Sequence, residues 1–305
     1  MFIYIMGRGH SGSTILDLLL GNASQVQSVG EFISGVDRYD ALCACGQRFR
    51  ECDFWKRVRR EFEERTKIPW DEAAAFLKKQ AHVKRFVATL LSRSRRADVA
   101  KLRMISDALS EAITRVSGKP YVLDSSKEST RALFLARHVP EAKIIHLVRH
   151  PERVLASHYW RIERGEGFRF LRRTHTGTRR APLFLTVAAI TWVVGNLMGE
   201  VVRLIAGSRV LLVRYEDLCK QPRQELSKIG QFLEADLSSV IRMVEAGEYL
   251  AVGHSLAGNR IRRQDELRFD PSRSKQRALP RRYALLVKAV CWPLMLRYGY
   301  GVFRG

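Results

Sequence analysis

Phe2-Ile-Tyr-Ile-Met-Gly-Arg-Gly-His-Ser-Gly-Ser-Thr-Ile-Leu-Asp-Leu-Leu-Leu20 is the stretch whose reading decides the fold. Phe2–Met6 is a short apolar run of the kind that forms a buried parallel strand. Gly7 to Thr14 is rich in glycine and hydroxyl residues, and Ile15–Leu20 continues as a helix. A strand, a glycine-rich turn and a helix N-terminus together form an anion cradle. The glycines let the backbone approach, successive N–H groups point inward, and the helix dipole favours negative charge. Ser11, Ser13 and Thr14 add hydroxyl donors.

Three further apolar runs, Tyr121–Leu123, Lys143–Val148 and Arg209–Val213, read as strands, each followed by a polar or glycine-bearing turn and a helical pattern. Val26–Gly30 is a shorter strand-like segment. Glu225–Leu233 and Leu237–Glu245 suit helices, and residues 55–117 read as an insertion of charged amphipathic helices with basic faces around Lys78–Arg96. This alternation predicts an α/β fold: a P-loop-like three-layer sandwich, with a central mostly parallel sheet flanked by helices. Without an internal repeat or a low-complexity linker, residues 1–305 are expected to form one domain. Ala181–Gly199 carries no charge and approaches the length of about 20 residues that a spanning helix needs. Pro182, Thr186, Thr191, Gly195 and Asn196 dilute it, so the expectation is a buried or groove-lining helix, with membrane contact as the alternative. Tyr283–Phe303 reads as a capping helix or a surface-lying amphipathic one.

With 53 basic and 31 acidic residues the net charge is +22, which favours anionic partners. The candidates are a phosphorylated cofactor, an acidic glycan, an anionic membrane surface or nucleic acid. The basic residues are spread along the chain without a recognition element or stacking aromatics, so no specific nucleic acid is expected. The N-terminus has no positively charged n-region and no small-residue cleavage site, which sets the expectation of a cytoplasmic protein, with association at the cytoplasmic face of a membrane as an extension.

The loop has the frame glycine, four residues, glycine, but Ser13 stands where a Walker lysine belongs. A nucleotide kinase or ATPase sets that lysine on its β- and γ-phosphates beside a metal ion. Without it, the loop suits one phosphate carrying a sulfate. His10-Ser-Gly-Ser-Thr14 resembles the 5′-phosphosulfate loop of sulfotransferases that use 3′-phosphoadenosine 5′-phosphosulfate (PAPS), which commonly carry lysine or arginine at the position of His10. The resemblance implies that Arg8, Gly9, His10, Ser11, Gly12, Ser13 and Thr14 bind the cofactor. His10 would stabilise the departing phosphate, a role that Arg8 or a lysine from elsewhere is open to share. Arg149-His-Pro-Glu-Arg-Val-Leu-Ala-Ser157 resembles the family's 3′-phosphate motif, in which the arginine and the serine eight residues later hold that phosphate. Guanidinium suits a bidentate phosphate contact, and a strand's carboxyl end is where open α/β sheets bind ligands. Val213-Arg-Tyr-Glu-Asp-Leu218 matches a strand-end segment of these enzymes and is read as structural. Gly258-Asn-Arg-Ile-Arg262 resembles a late basic loop of bacterial members, from which Arg262 or Arg260 would close over the nucleotide.

Sulfuryl transfer needs a base for the acceptor hydroxyl and stabilisation of the leaving phosphate oxygen. The Gly30-Glu31 context resembles that of the catalytic glutamate of tyrosylprotein sulfotransferases and related carbohydrate enzymes, which makes Glu31 the candidate base. Lys127, closing Asp124-Ser-Ser-Lys127 at a strand end, is the candidate contact to the bridging oxygen or sulfate, with Asp124 and Ser125 as helix caps in the plainer reading. The reaction calls for PAPS and no metal. His146 and His150 fall on a strand and its end, not on one helical face. Cys43, Cys45 and Cys52 offer three thiols, and a zinc site would need a fourth ligand that the sequence does not identify. That cluster resembles a recurring feature of bacterial sulfotransferases and is read as structural, with reduced, packed thiols. The glutamate pattern and the basic charge favour a glycan or lipid-linked glycan as acceptor over a small phenol.

Overall fold

The computed structural model describes residues 1–81, 96–163, 181–258, 267–274 and 278–301. Five strands form one sheet: β1 (Phe2–Gly7), β2 (Val26–Gly30), β3 (Tyr121–Lys127), β4 (Lys143–Val148) and β5 (Val210–Arg214), in the order β2-β3-β1-β4-β5. All four pairings are parallel. The central strands are buried along their length except at their ends, as a sheet covered on both faces requires.

Between the strands run α1 (Ser13–Gly21), α2 (Phe32–Gly35), α3 (Asp53–Thr66), α4 (Trp70–Ala81), α5 (Arg96–Ser117), α6 (Ser129–His138), α7 (Pro151–Glu163) and α8 (Ala181–Ala206). After β5 come α9 (Tyr215–Lys220), α10 (Pro222–Leu233), α11 (Ser238–Ala246) and α12 (Arg281–Arg297). One apolar layer joins the sheet to α2–α6 through Phe32, Trp55, Phe62, Ile105 and Phe134. The opposite layer packs α1, α9, α10 and α11 through Leu16, Leu19, Leu218, Ile229 and Val240. A third cluster ties α7, α8 and α12 together around Leu155, Trp192 and Cys291. The sheet with helices packed on both faces gives the three layers expected of the fold class.

The order of the strands locates the site. From β1 the chain travels past β3 to reach β2, whereas from β4 it travels the other way to β5. Loops leaving the adjacent carboxyl ends of β1 and β4 therefore diverge and open a crevice, the topological switch point at which open α/β sheets bind ligands.

Two elements differ most in extent from the sequence reading. β3 runs on from Leu123 to Lys127, because Asp124, Ser125 and Ser126 are buried and bond locally instead of turning outward. α8 runs past the charge-free window to Ala206, with Arg203 paired to Glu200 on the same helix at 2.9 Å. It is neither wholly buried nor wholly exposed. Leu185, Ala189, Trp192 and Val202 face the core, while Leu183, Val187, Ile190, Val194, Leu197 and Leu204 form an apolar outer stripe. The helix is long and apolar enough to cross a membrane by composition, but its packed face makes it an integral part of the fold. The C-terminal segment forms α12, which packs on α7 and α8 as a capping helix would.

Candidate active site

The loop after β1 is shaped by Gly12, the N-cap of α1, which has φ 92°. A Cβ there would lie 2.2 Å from the Tyr215 ring, so only glycine fits both the backbone angle and the space. At Gly9 an added Cβ would meet nothing within 4 Å, leaving that side of the loop open to an incoming group. Between them His10 adopts a left-handed φ of 68°, a conformation of modest cost for a non-glycine residue, which persists when surrounding contacts fix it.

Those contacts come from the segment after β4. Arg149 donates through Nη1 to the His10 carbonyl at 2.9 Å, and its guanidinium stacks 4.7 Å from the Tyr215 ring centroid. Burial draws the Arg149 pKa down from its ordinary value, partly offset by Tyr215 and Glu216, but a guanidinium starts so high that it stays cationic. Ser157 Oγ lies 3.0 Å from His10 Nδ1, and the imidazole packs edge-on against His158 with centroids 4.3 Å apart. Arg149 and Ser157, read from sequence as one half of the site, thus converge on the loop read as the other half. The Trp192 indole donates to the Arg149 carbonyl at 3.2 Å, and the His150 N–H donates to Glu216 at 2.9 Å.

On the other flank the carboxyl ends of β2 and β3 carry Glu31 and Lys127. The two side chains form an ion pair, each less than a fifth exposed. Glu31 is fixed at its backbone, where its N–H donates to the Leu256 carbonyl at 2.9 Å. The Ile33 N–H donates to Ser126 Oγ at 3.0 Å, and Asp124 accepts from the Ser126 N–H at 2.8 Å. Asp124 therefore shapes the end of β3 rather than capping α6, whose N-cap is Glu128. Burial without a partner for its second oxygen pushes its carboxyl up to about 6. The β1–β3 register shifts between Tyr4 and Met6, and Met6 pairs with Lys127, which sits at φ 67°. This irregularity re-aims Lys127 at the sheet edge, as bulges do.

Arg8 runs along α8, where a Cβ on Gly195 would fall 2.3 Å from its Cδ. Burial lowers its pKa, and the charge of Glu128 opposes that shift. Arg260 and Arg262 lie outside the described residues. His146 is enclosed in β4, with Nε2 3.2 Å from Asn196 Oδ1, and His150 packs on Tyr300, so these two histidines serve separate packing sites.

Several residues that build the site escaped the sequence reading. Tyr215 fills the space beside Gly12 and carries Arg149, and Glu216 holds the turn after β4. Both belong to the Val213–Leu218 segment, which the sequence reading matched to a family segment and took as structural, without assigning either residue to the site. Leu256 anchors Glu31 from a loop far along the chain, with no local pattern to announce it.

A glycine-rich loop and a convergent arginine thus meet at the switch point, with a carboxylate–lysine pair on the flanking strands, where open α/β sheets bind ligands. Residues 3–239 match the model of the sulfotransferase family, and the chain belongs to that family. It is a sulfotransferase enzyme. Among solved structures it is similar to the sulfotransferase domain of the Synechococcus PCC 7002 olefin synthase, with 18% identity over 98% of this chain and 94% of that one, at a TM-score of 0.48. The sulfotransferase domain of the curacin biosynthetic pathway matches at 18% identity over 98% and 97%, with a TM-score of 0.49. Sulfotransferase STF1 from Mycobacterium tuberculosis H37Rv matches at 16% over 79% and 69%, with a TM-score of 0.47. No curated protein matches the chain at a significant level.

Proposed function

We propose that the chain transfers a sulfuryl group from PAPS to a hydroxyl of a glycan or lipid-linked glycan. The observation that carries this reading is the convergence of Arg149 and Ser157 on His10 at the crevice between β1 and β4. A donor with phosphates at both ends of its ribose needs two anion sites held in fixed relation, and a shared residue provides that relation. The missing loop lysine argues against a triphosphate.

In the proposed reaction the acceptor oxygen attacks sulfur in line, its proton passes to the Glu31 carboxylate, and the bond from sulfur to the bridging phosphate oxygen breaks. Lys127, His10 and the loop N–H groups receive the charge that develops on that oxygen. The protein's task is positioning and electrostatics, with no metal in the chemical step.

The acceptor class is supported by the net charge of +22 and by the outer stripe of α8, which suits the lipid part of a lipid-linked acceptor at a cytoplasmic membrane face. The test is sulfation from labelled PAPS against a panel of glycans, lipid-linked glycans and phenols. Label on glycan hydroxyls supports the reading, and label on phenols alone overturns the acceptor class.

A further inference from the structure

Cys43, Cys45, Cys52 and His254 bring one ligand atom each to within 4.8 Å of one another. We propose that these four residues bind a zinc ion, and that the bound metal clamps the segment that positions Glu31. The metal is structural and stands apart from the chemical step.

The geometry points to a tetrahedral Cys3His site. Zinc–thiolate bonds of about 2.3 Å and zinc–imidazole bonds of about 2.0 Å place tetrahedral ligand atoms about 3.5–3.8 Å apart. Cys45 Sγ and Cys52 Sγ lie 3.7 Å apart, and Cys52 Sγ lies 3.4 Å from His254 Nδ1. The three sulfurs belong to free thiols.

The surrounding backbone holds the ligands in place. Cys43 and Cys45 sit in a tight turn, with the Gly46 N–H donating to the Cys43 carbonyl at 3.0 Å and the Cys43 N–H to the Gln47 carbonyl at 2.8 Å. Gly46 has φ 89°, and Leu42 bridges Arg48 across the turn. Cys52 is the N-cap of α3. The His254 ring stacks on Phe54 at 4.7 Å, tilted by 5°, and its carbonyl accepts from the Trp55 indole at 2.8 Å. Such support outside the ligands themselves is what orients the ligands of a metal site.

Three thiols and one imidazole are a donor set that zinc takes in closed structural sites. Zinc binding displaces three thiol protons and leaves one net negative charge.

The clamp reaches the active site through the backbone. The Ala44 N–H donates to the Ser255 carbonyl at 3.0 Å, joining the cysteine turn to the His254 segment. Leu256, two residues on, donates to the Val29 carbonyl at 2.9 Å and accepts from the Glu31 N–H at 2.9 Å. His254 is thus a positioning residue for Glu31.

The test is metal analysis of the purified full chain by elemental and native mass spectrometry, with cobalt substitution. About one zinc per chain is expected, with a thiolate-to-cobalt charge-transfer band and tetrahedral d–d bands in the cobalt form. Cys45→Ser and His254→Ala should lose most of the metal, whereas His254→Cys, which keeps a fourth ligand, should retain it. A folded wild-type chain grown with zinc that carries no metal would overturn the proposal. So would a Cys45–Cys52 disulfide in the purified chain, or full zinc retention in both Cys45→Ser and His254→Ala. These readouts need no sulfotransfer, so failure of the donor assignment leaves them interpretable.

Discussion

Ser157 Oγ stands 3.0 Å from Nδ1 of His10, which joins the helix after β4 to the loop after β1 by one side-chain contact. The two residues are far apart in sequence, yet each belongs to a motif read as binding a different phosphate of the same donor. His10 therefore does more than occupy the basic position of its loop: its carbonyl takes Arg149 and its ring takes Ser157.

Removing the hydroxyl tests that joint. Ser157→Ala should weaken binding of the desulfated product by about tenfold, the equivalent of one hydrogen bond to a charged group. His10→Ala should cost more, because it also loosens the loop. Titration of both variants checks the order, and equal, unchanged affinities would contradict it.

Glu31 and Lys127 are expected to separate binding from chemistry. Glu31→Gln should lower kcat by about 10²–10⁴-fold, as loss of a general base does, with donor affinity retained. Lys127→Ala should also lower kcat, because its partner carboxylate and the leaving oxygen both lose a cation. Steady-state kinetics beside product titration tests this. A Glu31→Gln chain with unaltered kcat would remove Glu31 from the chemistry.

His146 predicts a pH dependence of stability. Burial lowers its pKa from 6.5 to about 4, against the opposing effects of the Asn196 hydrogen bond and the Glu200 charge. The folded chain therefore binds fewer protons than the unfolded chain between those values. The resulting stability is fully present above pH 6.5 and is lost as pH falls toward about 4. A shift of this size corresponds to about 3 kcal/mol. Denaturant unfolding of wild type and His146→Gln should show a steeper loss for wild type over that interval, and parallel slopes would contradict the assignment.

Where the sequence was readable, local physics was strong. Phe2–Leu20 announced its strand, loop and helix because apolar runs, glycines and hydroxyl residues follow one another without interruption. Arg149 and Ser157 were singled out by the resemblance of their segment to a family motif, and the fold brings both of them to His10. β3 was read short because Asp124-Ser-Ser-Lys127 looks like a turn; its polar groups stay in the sheet by bonding to each other and to α2. The stripe of α8 was ambiguous because composition alone cannot divide a helix into packed and outward faces. His254 was invisible beside the cysteines, since 202 residues separate it from Cys52. Tertiary closure, with no local pattern, brings it there.

The most direct test of the central claim is calorimetric titration of the chain with 3′-phosphoadenosine 5′-phosphate and with ATP, for wild type and Arg149→Ala. The donor site described above predicts tight binding of the former, weak binding of the latter, and a loss on Arg149→Ala of about tenfold or more, as expected for a charged phosphate contact. Preference for ATP, or affinity indifferent to Arg149, would contradict it.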